Sequence, residues 1–172
     1  MRKHAIALAA LVGMVLTGSG WAHAQGGGTA MQLTPADKTE IRHILTSLNQ
    51  GADFNDGDLW VSQWTPDGSW THPNGEAFVG LDRLREYRRS TRLPGGGASG
   101  RRHWTNGVVL TPTADGATGR TYYMLLNVAT APPAVASAGH YEDVFVKTAD
   151  GWRIKQRIIK QYPDPQLGRS GN

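Results

Sequence analysis

Residues 139–162, GHYEDVFVKTADGWRIKQRIIKQY, contain a strand pattern on each side of a turn sequence. Apolar residues alternate with polar ones on either side of Ala149-Asp150-Gly151, which is a typical turn sequence. Alternation of this kind places successive side chains on opposite faces of a strand. The stretch therefore predicts two neighbouring strands, from Gly139 to Lys147 and from Trp152 to Tyr162, joined by a tight turn.

Two further strand patterns come before this pair. They run from His103 to Thr111 and from Gly119 to Ala129, with turn formers at Thr113 to Ala117 and at Pro132-Pro133. Consecutive strands with short connections usually lie beside one another. We expect one antiparallel sheet to occupy the chain from Arg102 to Tyr162.

The chain before Arg102 has helical periodicity instead. Between about Pro35 and Ala52, apolar residues recur at i, i+3, i+4 and i+7, namely Ile41, Ile44, Leu45 and Leu48. Thr34 suits the cap position of such a helix, and Pro35 suits its first turn. The segment is predicted to be an amphipathic helix.

Two shorter helices and a hairpin are predicted between this helix and the sheet. A short apolar helix contains Leu59 to Trp64 and ends at Pro66-Asp67-Gly68, and a third helix runs from Leu81 to about Arg92. Between them, Pro73-Asn74-Gly75 is a hairpin signal. The glycine-rich stretch from Leu93 to Gly100 predicts a mobile loop. Helices first and strands afterwards predict an α+β fold.

The first residues predict an exported protein. Arg2 and Lys3 precede an apolar run from Ala5 to Leu16, and Ala22-His23-Ala24 is a small-residue cleavage site. The run is shorter than the roughly 20 residues that span a bilayer, which favours a cleaved signal over a membrane anchor. We expect a signal peptide over residues 1–24, a periplasmic or secreted location, a flexible leader over 25–33 and a disordered tail over 164–172.

Composition excludes several classes of function. The chain has no cysteine, and therefore no disulfide framework, thiolate metal site or cysteine nucleophile. Without the two basic residues of the signal, the formal net charge of +4 falls to +2, which is too balanced to predict a nucleic-acid partner. The arginines between Arg83 and Arg92 mix with apolar residues at helical spacing and are interpreted as a solvated helix face.

Neither a cofactor nor a metal is predicted. The glycines at 95–97 lack the strand-to-helix setting that a phosphate-binding motif requires. His72, His103 and His140 show no spacing that would pre-form a zinc site.

Five short motifs follow one another along the chain. They are Asp53-x-x-Asp56, Asp67-Gly68-x-Trp70, Arg102-His103-x-x-Asn106, Tyr141-x-Asp143 and Asp150-Gly151-Trp152-Arg153. With these motifs, the chain resembles the SnoaL-like, or polyketide-cyclase-like, branch of the nuclear transport factor 2-like superfamily, which includes scytalone dehydratase-type proteins. The resemblance implies a SnoaL-like domain over residues 34–163.

The resemblance also implies an architecture. It is a cone-shaped half-barrel, in which a curved antiparallel (mixed) sheet wraps round three N-terminal helices and encloses a deep apolar pocket. This scaffold hosts dehydratases, cyclases, isomerases and plain binding proteins, so the fold alone does not determine the activity.

A catalytic pair is implied as well. In dehydratase-like relatives, an Asp near the end of the first helix orients a His on the sheet, and the matching residues here are Asp53 and His103. An imidazole can act as a base near neutral pH, and a carboxylate on its other nitrogen fixes the tautomer. Two simpler interpretations stay open, with Asp53 as the polar end of a helix and His103 as a core histidine.

Trp70 and His72 are candidates for substrate binding on the first strand. Alternation places the two side chains on the same face, and the resemblance implies a polar pocket group near His72. An exposed His72 at the strand end is an equally simple interpretation.

The remaining substrate-binding candidates are Tyr122, Tyr141 and Asp143. Tyr122 and its neighbour Tyr123 must point to opposite faces, and Tyr122 is assigned to the pocket. The resemblance favours Tyr141 and Asp143 over Glu142, although a register shift of one residue would reverse that choice. A pairing of Asp143 with an arginine across the hairpin, Arg153 or Arg157, also stays open.

These observations predict a cofactor-independent lyase or isomerase of the dehydratase-like kind, with His103 as general base and Asp53 as its orienter. The expected substrate is a small cyclic or polyketide-like molecule. The alternative is a non-catalytic periplasmic module that binds a small apolar or aromatic ligand. A homodimer through the open face of the sheet is also expected, whereas stable membrane insertion after signal cleavage is not.

Overall fold

The computed structural model of this protein describes residues 31–91 and 99–163. Its helices pack against a six-stranded mixed sheet. The helices are α1 (Pro35–Asp53), α2 (Gly57–Val61) and α3 (Leu81–Ser90). The strands are β1 (Trp64–Thr71), β2 (Ala77–Val79), β3 (Arg101–Pro112), β4 (Gly116–Asn127), β5 (Ala134–Thr148) and β6 (Gly151–Gln161). The predicted signal peptide, the tail and most of the glycine-rich loop lie outside the described residues.

The strand order across the sheet is β2-β1-β6-β5-β4-β3. The β1–β6 pair is parallel, and the other neighbouring pairs are antiparallel. Residues 139–162 supply most of β5 and all of β6, which lie in the middle of the sheet. The sheet is open rather than closed into a barrel, and the predicted α+β fold is confirmed.

Helix α1 begins at a reciprocal cap. The Thr34 hydroxyl accepts a hydrogen bond from the Asp37 backbone N–H (3.2 Å), and the Asp37 carboxylate accepts one from the Thr34 N–H (2.9 Å). The apolar face of α1 packs into the main core, where Ile41 and Leu48 are 0% and 1% exposed. None of the described helices is long and apolar enough to cross a membrane.

Strands β3 to β6 have an inner face, which packs on the helices, and an outer face. On β4 and β5, Tyr123, Tyr141 and Phe145 are buried on the inner face, whereas Tyr122 and Glu142 are exposed on the outer face. Aligned residues of neighbouring strands share a face, so the register decides which side chains meet near the helices.

The second helix is shorter than predicted. It ends at Val61, and Trp64 opens β1 instead of continuing the helix. The register of β1 against β6 shifts between Trp64 and Ser69, so Pro66-Asp67-Gly68 lies at an irregularity within the strand. A proline is tolerated in a strand at such an irregularity, which explains why a sequence typical of a helix stop occurs there.

Other boundaries also differ from the prediction. Strand β4 runs from Gly116 to Asn127 rather than from Gly119 to Ala129, so it begins within the predicted turn. Strand β5 begins at Ala134 rather than Gly139, because a register shift at Leu125/Leu126 lets it continue past the irregularity. The leader is not flexible throughout, since the Met31 N–H donates to the Thr113 carbonyl (2.8 Å) and Leu33 is buried in the core. Residues 25–30 lie outside the described part of the chain.

Candidate active site

The end of α1 and the start of β3 meet through one carboxylate. Asp53 Oδ2 accepts a hydrogen bond from the His103 backbone N–H (2.9 Å), and Asp53 Oδ1 lies 2.6 Å from His103 Nδ1. Asp53 is 4% exposed, so this contact is shielded from water. A carboxylate acceptor requires the hydrogen on Nδ1, and in the neutral ring Nε2 then carries the lone pair.

Further hydrogen bonds fix α1 against β3. The Asp53 carbonyl accepts from the Ser99 N–H (3.0 Å) and from Arg102 Nη1 (3.3 Å). One turn earlier on the helix, Asn49 Nδ2 donates to Thr105 Oγ1 (3.1 Å). The placement of the carboxylate beside the histidine therefore depends on two backbone segments held together, not on one flexible side chain.

His103 lines a cavity of about 260 Å³. Part of the lining is apolar or aromatic, including Leu48, Trp60, Trp70, Leu125 and Ile159. The rest is polar, including Asn49, His72, Ser137, Arg157 and Gln161. The expected apolar pocket thus has a mixed lining, because polar residues of α1 and of the sheet line it beside the apolar ones.

Two tyrosines and an arginine form a stack along the inner face. The rings of Tyr123 and Tyr141 lie 4.6 Å apart at 14°, and the Arg157 guanidinium carbon lies 4.1 Å from the centre of the Tyr141 ring. A side chain at Gly139 would place its Cβ 2.8 Å from the Tyr123 ring, so glycine leaves room for the stack. All three stacked side chains line the cavity.

Burial controls the protonation of Tyr141. The phenol is removed from water, which raises the pKa of Tyr141 well above its usual range, and nearby Arg157 only partly opposes this. The group is therefore a neutral hydrogen-bond donor throughout the physiological pH range.

Arg157 is a buried cation with a dedicated partner. Its Nε and Nη2 donate to the two carboxylate oxygens of Asp143 at 2.6 and 2.8 Å, and both residues are at most 2% exposed. Burial acts to lower the pKa of Arg157, but the Asp143 carboxylate outweighs it and the net shift is upward. Since Asp143 occupies Nε and Nη2, Nη1 is the nitrogen available to a ligand.

The sequence of residues 34–158 matches the family model of the SnoaL-like domain. The chain belongs to the SnoaL-like family. No curated protein matches its sequence.

Several solved structures share the fold of this SnoaL-like protein. A cystatin-like protein of unknown function from Nostoc punctiforme is 24% identical, with a TM-score of 0.67 over 80% of this chain and 98% of that one. ActVI-ORFA from Streptomyces coelicolor is 20% identical (TM-score 0.64, 73% and 96%). A proposed scytalone dehydratase from Novosphingobium aromaticivorans is 15% identical (TM-score 0.60, 73% and 84%).

The SnoaL-like domain brings four of the candidate residues to the cavity. Trp70, His72, His103 and Tyr141 all line it, while Asp53 lies behind the histidine ring. Trp70 is aligned with Arg157 across the parallel β1–β6 pair, which is how β1 reaches the same cavity as the C-terminal strands.

Two substrate-binding assignments are corrected. Tyr122 is 58% exposed on the outer face, and it is Tyr123 that lines the cavity. The register of β4 against β5 explains this. Tyr141 is aligned with Thr121, so the two share a face, and Tyr123 is on that face because it lies two residues after Thr121. Asp143 does not line the cavity either. It is buried and paired with Arg157, which is the member of the pair that lines the cavity.

Helix α3 contributes lining residues that the sequence interpretation missed. Tyr87 and Arg88 reach the cavity, and Arg88 lies over the Trp60 ring (5.5 Å) while its Nη2 donates to the Ala52 carbonyl (3.2 Å). The arginine run is therefore not solvated throughout. Helical spacing could have predicted that Arg88 faces the cavity. Leu84, Tyr87 and Arg88 are spaced at i, i+3 and i+4, so they share one face of α3, and Leu84 on that face is buried.

The described residues contain no group of three His, Asp or Glu side chains close enough to hold a metal ion. His72 and His103 line the same cavity, but no third ligand of these types lies with them.

Proposed function

We propose that this protein is a cofactor-independent lyase or isomerase, dehydratase-like, that acts on a small cyclic or polyketide-like substrate. One observation carries the proposal. Asp53 accepts hydrogen bonds from both the backbone N–H and Nδ1 of His103, whose ring lines the cavity. This arrangement presents Nε2 as a base and stabilises the imidazolium that forms when the base takes a proton.

The proposed reaction begins at a carbon next to a carbonyl group. Nε2 of His103 removes a proton from that carbon, and the electron pair moves towards the carbonyl oxygen. The neutral phenol of Tyr141 and the guanidinium of Arg157 stabilise the resulting enolate. In a dehydration, the β-hydroxyl then leaves with the proton held by the imidazolium, which releases water and restores the base. In an isomerisation, that proton returns to another carbon.

The cavity supports a substrate of one or two rings. An apolar cavity of about 150 Å³ holds benzene, and the cavity here is about 260 Å³. Its aromatic lining suits a flat ring, while its polar lining suits oxygen substituents on that ring. The expected ligand is therefore aromatic or cyclic, with carbonyl or hydroxyl groups.

The proposal includes export to the periplasm or the medium, based on the signal-like sequence of residues 1–24. The mature protein recovered from the producing cells should begin at Gln25. An intact mass that includes residues 1–24 would contradict this part of the proposal.

The reaction is tested with simple β-hydroxyketones, 3-hydroxycyclohexanone and 3-hydroxy-1-tetralone. NMR in D₂O follows deuterium uptake next to the carbonyl, and absorbance follows the dehydrated product. We expect His103→Asn to slow both by about 10²- to 10⁴-fold, because the general base is lost. Asp53→Asn should also slow them, because an amide cannot stabilise the imidazolium.

The matched control is His43→Asn, an exposed histidine on α1 whose loss should leave both rates unchanged. Full activity in the His103→Asn protein would refute the mechanism. If the wild-type protein binds these ketones but neither exchanges nor dehydrates them, the non-catalytic binding module becomes the better interpretation. The aromatic lining by Trp60, Trp70 and Tyr123 is the observation that favours that second function.

A further inference from the structure

A second cavity, of about 440 Å³, lies between the turn that joins α1 to α2 and helix α3. Its walls are Phe54 and Asn55 on the turn and Arg85, Arg88 and Arg89 on α3, and it is called the arginine groove below. The proposed reaction uses none of these residues chemically, although Arg88 lines both cavities.

Asn55 is an unusual residue in this groove. It has φ of 59°, a left-handed conformation that asparagine tolerates better than most residues, and it is 6% exposed. Its Nδ2 is buried and, among the described residues, has no hydrogen-bond partner. A buried amide donor without an acceptor is costly, so a ligand atom that accepts from Nδ2 would be stabilised there.

The three arginines place positive charge along one side of the groove. They are spaced at i, i+3 and i+4, so their side chains share one face of α3 and repel one another. Arg85 is paired with Asp82 (3.1 Å), and Arg89 is exposed. A guanidinium group can donate two parallel hydrogen bonds to the oxygens of one carboxylate or phosphate. A bound oxyanion would therefore relieve the repulsion between the arginines.

Two carboxylates also line the groove, but they do not cancel this charge. Asp56 Oδ1 accepts from the Leu59 N–H (2.9 Å) as the cap of α2, and Asp58 is exposed to solvent. The lining itself has three guanidinium groups and two carboxylates, and Asp82, the partner of Arg85, lies outside it.

Phe54 gives the groove an apolar edge. Its ring is 55% exposed, although large aromatic side chains are usually buried, and the Arg102 guanidinium lies 4.6 Å from its centre. A ligand that combined an oxyanion with a ring would cover this exposed surface while its oxygens met the arginines and Asn55.

We propose that the arginine groove binds a small oxyanion attached to an aromatic group, namely an arene carboxylate or an aryl phosphate. The site is separate from the proposed reaction and does not depend on it. In both kinds of ligand, the oxyanion would be bound by the same residues, namely Asn55, Arg85, Arg88 and Arg89.

The test is an NMR titration of ¹⁵N-labelled protein with benzoate, phenyl phosphate and inorganic phosphate. Benzoate or phenyl phosphate should give saturable shifts at residues 54–58 and 85–89. Arg89→Gln and Asn55→Asp should each weaken that binding about tenfold or more, because each removes a charge-assisted or buried hydrogen bond. Asp keeps the shape of Asn and tolerates the same backbone conformation.

Arg83→Gln is the matched control, because Arg83 lies on the same helix, pairs with Glu86 and does not line the groove. It should leave the affinity within about twofold of the wild-type value, since a distant exposed charge contributes little. Tighter binding of phenyl phosphate assigns the site to aryl phosphates, and tighter binding of benzoate assigns it to arene carboxylates.

Three results would overturn the proposal. They are the absence of saturable shifts with both aromatic anions, shifts confined to the His103 cavity, and an equal loss of affinity in Arg83→Gln and Arg89→Gln. The last result would mean that the ligands respond to net charge alone.

Discussion

Asp143 shows how a residue can act on the cavity without touching it. Its carboxylate holds Arg157 from behind, and Arg157 lies against Tyr141 and lines the cavity wall. The sequence interpretation assigned Asp143 to substrate binding and kept a pairing with Arg153 or Arg157 open, and the structure has the pairing with Arg157 rather than a place in the cavity lining. Removing the carboxylate would leave a buried guanidinium without its counter-charge.

We therefore predict that Asp143→Asn lowers the free energy of unfolding by about 3–5 kcal/mol, the usual cost of leaving a buried charge unpaired. Urea unfolding followed by tryptophan fluorescence measures the change. The control is Glu142→Gln on the outer face, whose side chain is 47% exposed, and it should change the free energy by at most about 0.5 kcal/mol. A similar small effect of Asp143→Asn would show that the pair is not a significant source of stability.

The start of α1 is joined to the far side of the sheet by Asp37. Its carboxylate accepts a hydrogen bond from the backbone N–H of Thr34, the cap residue of α1. It also accepts hydrogen bonds from Lys147 Nζ and Trp152 Nε1, both at 2.8 Å. The hydrogen bond from Lys147, followed by those from Thr34 and Trp152, holds the pKa of Asp37 well below its usual range. The local capping signal in the sequence thus coincides with a tertiary contact to β5 and β6.

This lowered pKa predicts a pH-dependent stability. An unfolded Asp has a pKa of about 3.9, so the unfolded chain takes up the proton first as the pH falls. The contribution of Asp37 is fully present above about pH 5 and is lost progressively below about pH 4. Asp37→Asn should therefore lower the melting temperature most at neutral pH, and the difference from wild type should shrink in acid.

Thermal unfolding of both proteins between pH 3 and 7 measures this difference. Asp115→Asn, in the exposed β3–β4 turn, is the control and should change little at any pH. A deficit in Asp37→Asn that stays constant down to pH 3 would contradict the role of the carboxylate charge.

The molecule as a whole leaves an apolar patch on the outer face of its sheet. The patch consists of Trp104, Tyr122, Met124 and Val135, whose exposed fractions are 64%, 58%, 43% and 59%. Trp104 is aligned with Met124 on the next strand, so the patch continues across strands. Contiguous exposed apolar surface of this kind is typical of interaction sites, and we propose that a second copy of the chain covers it.

Sedimentation velocity tests this proposal. The wild-type protein should be a dimer at micromolar concentration, and Met124→Lys should shift it to monomer because the charge would be buried in the interface. Val79→Lys changes an equally exposed apolar residue, 57% exposed on β2, and should leave the dimer intact. A monomeric wild-type protein would refute the proposed dimer.

For most elements of the fold, local signals in the sequence were sufficient to predict the type of element. The capped amphipathic pattern of α1, the turn at Ala149-Asp150-Gly151 and the alternation on either side of it each depend on neighbouring residues, and all three are present in the structure. The ordered motifs then indicated the SnoaL-like family, to which the chain belongs. The second helix was overextended because Pro66-Asp67-Gly68 looks the same at a helix end as at a strand irregularity.

The contents of the site needed the tertiary structure. Alternation within β4 shows that Tyr122 and Tyr123 face opposite ways, but only the alignment of β4 with β5 shows that Tyr123 is the inner one. Whether Asp143 lies in the cavity or behind Arg157, and whether Arg88 lies in solvent or over Trp60, likewise depends on how separate elements pack. Periodicity is a property of a single segment, and it was enough to predict the type of most helices and strands. Register and packing are properties of pairs of segments, so the side chains that meet in the site could be identified only in the folded molecule.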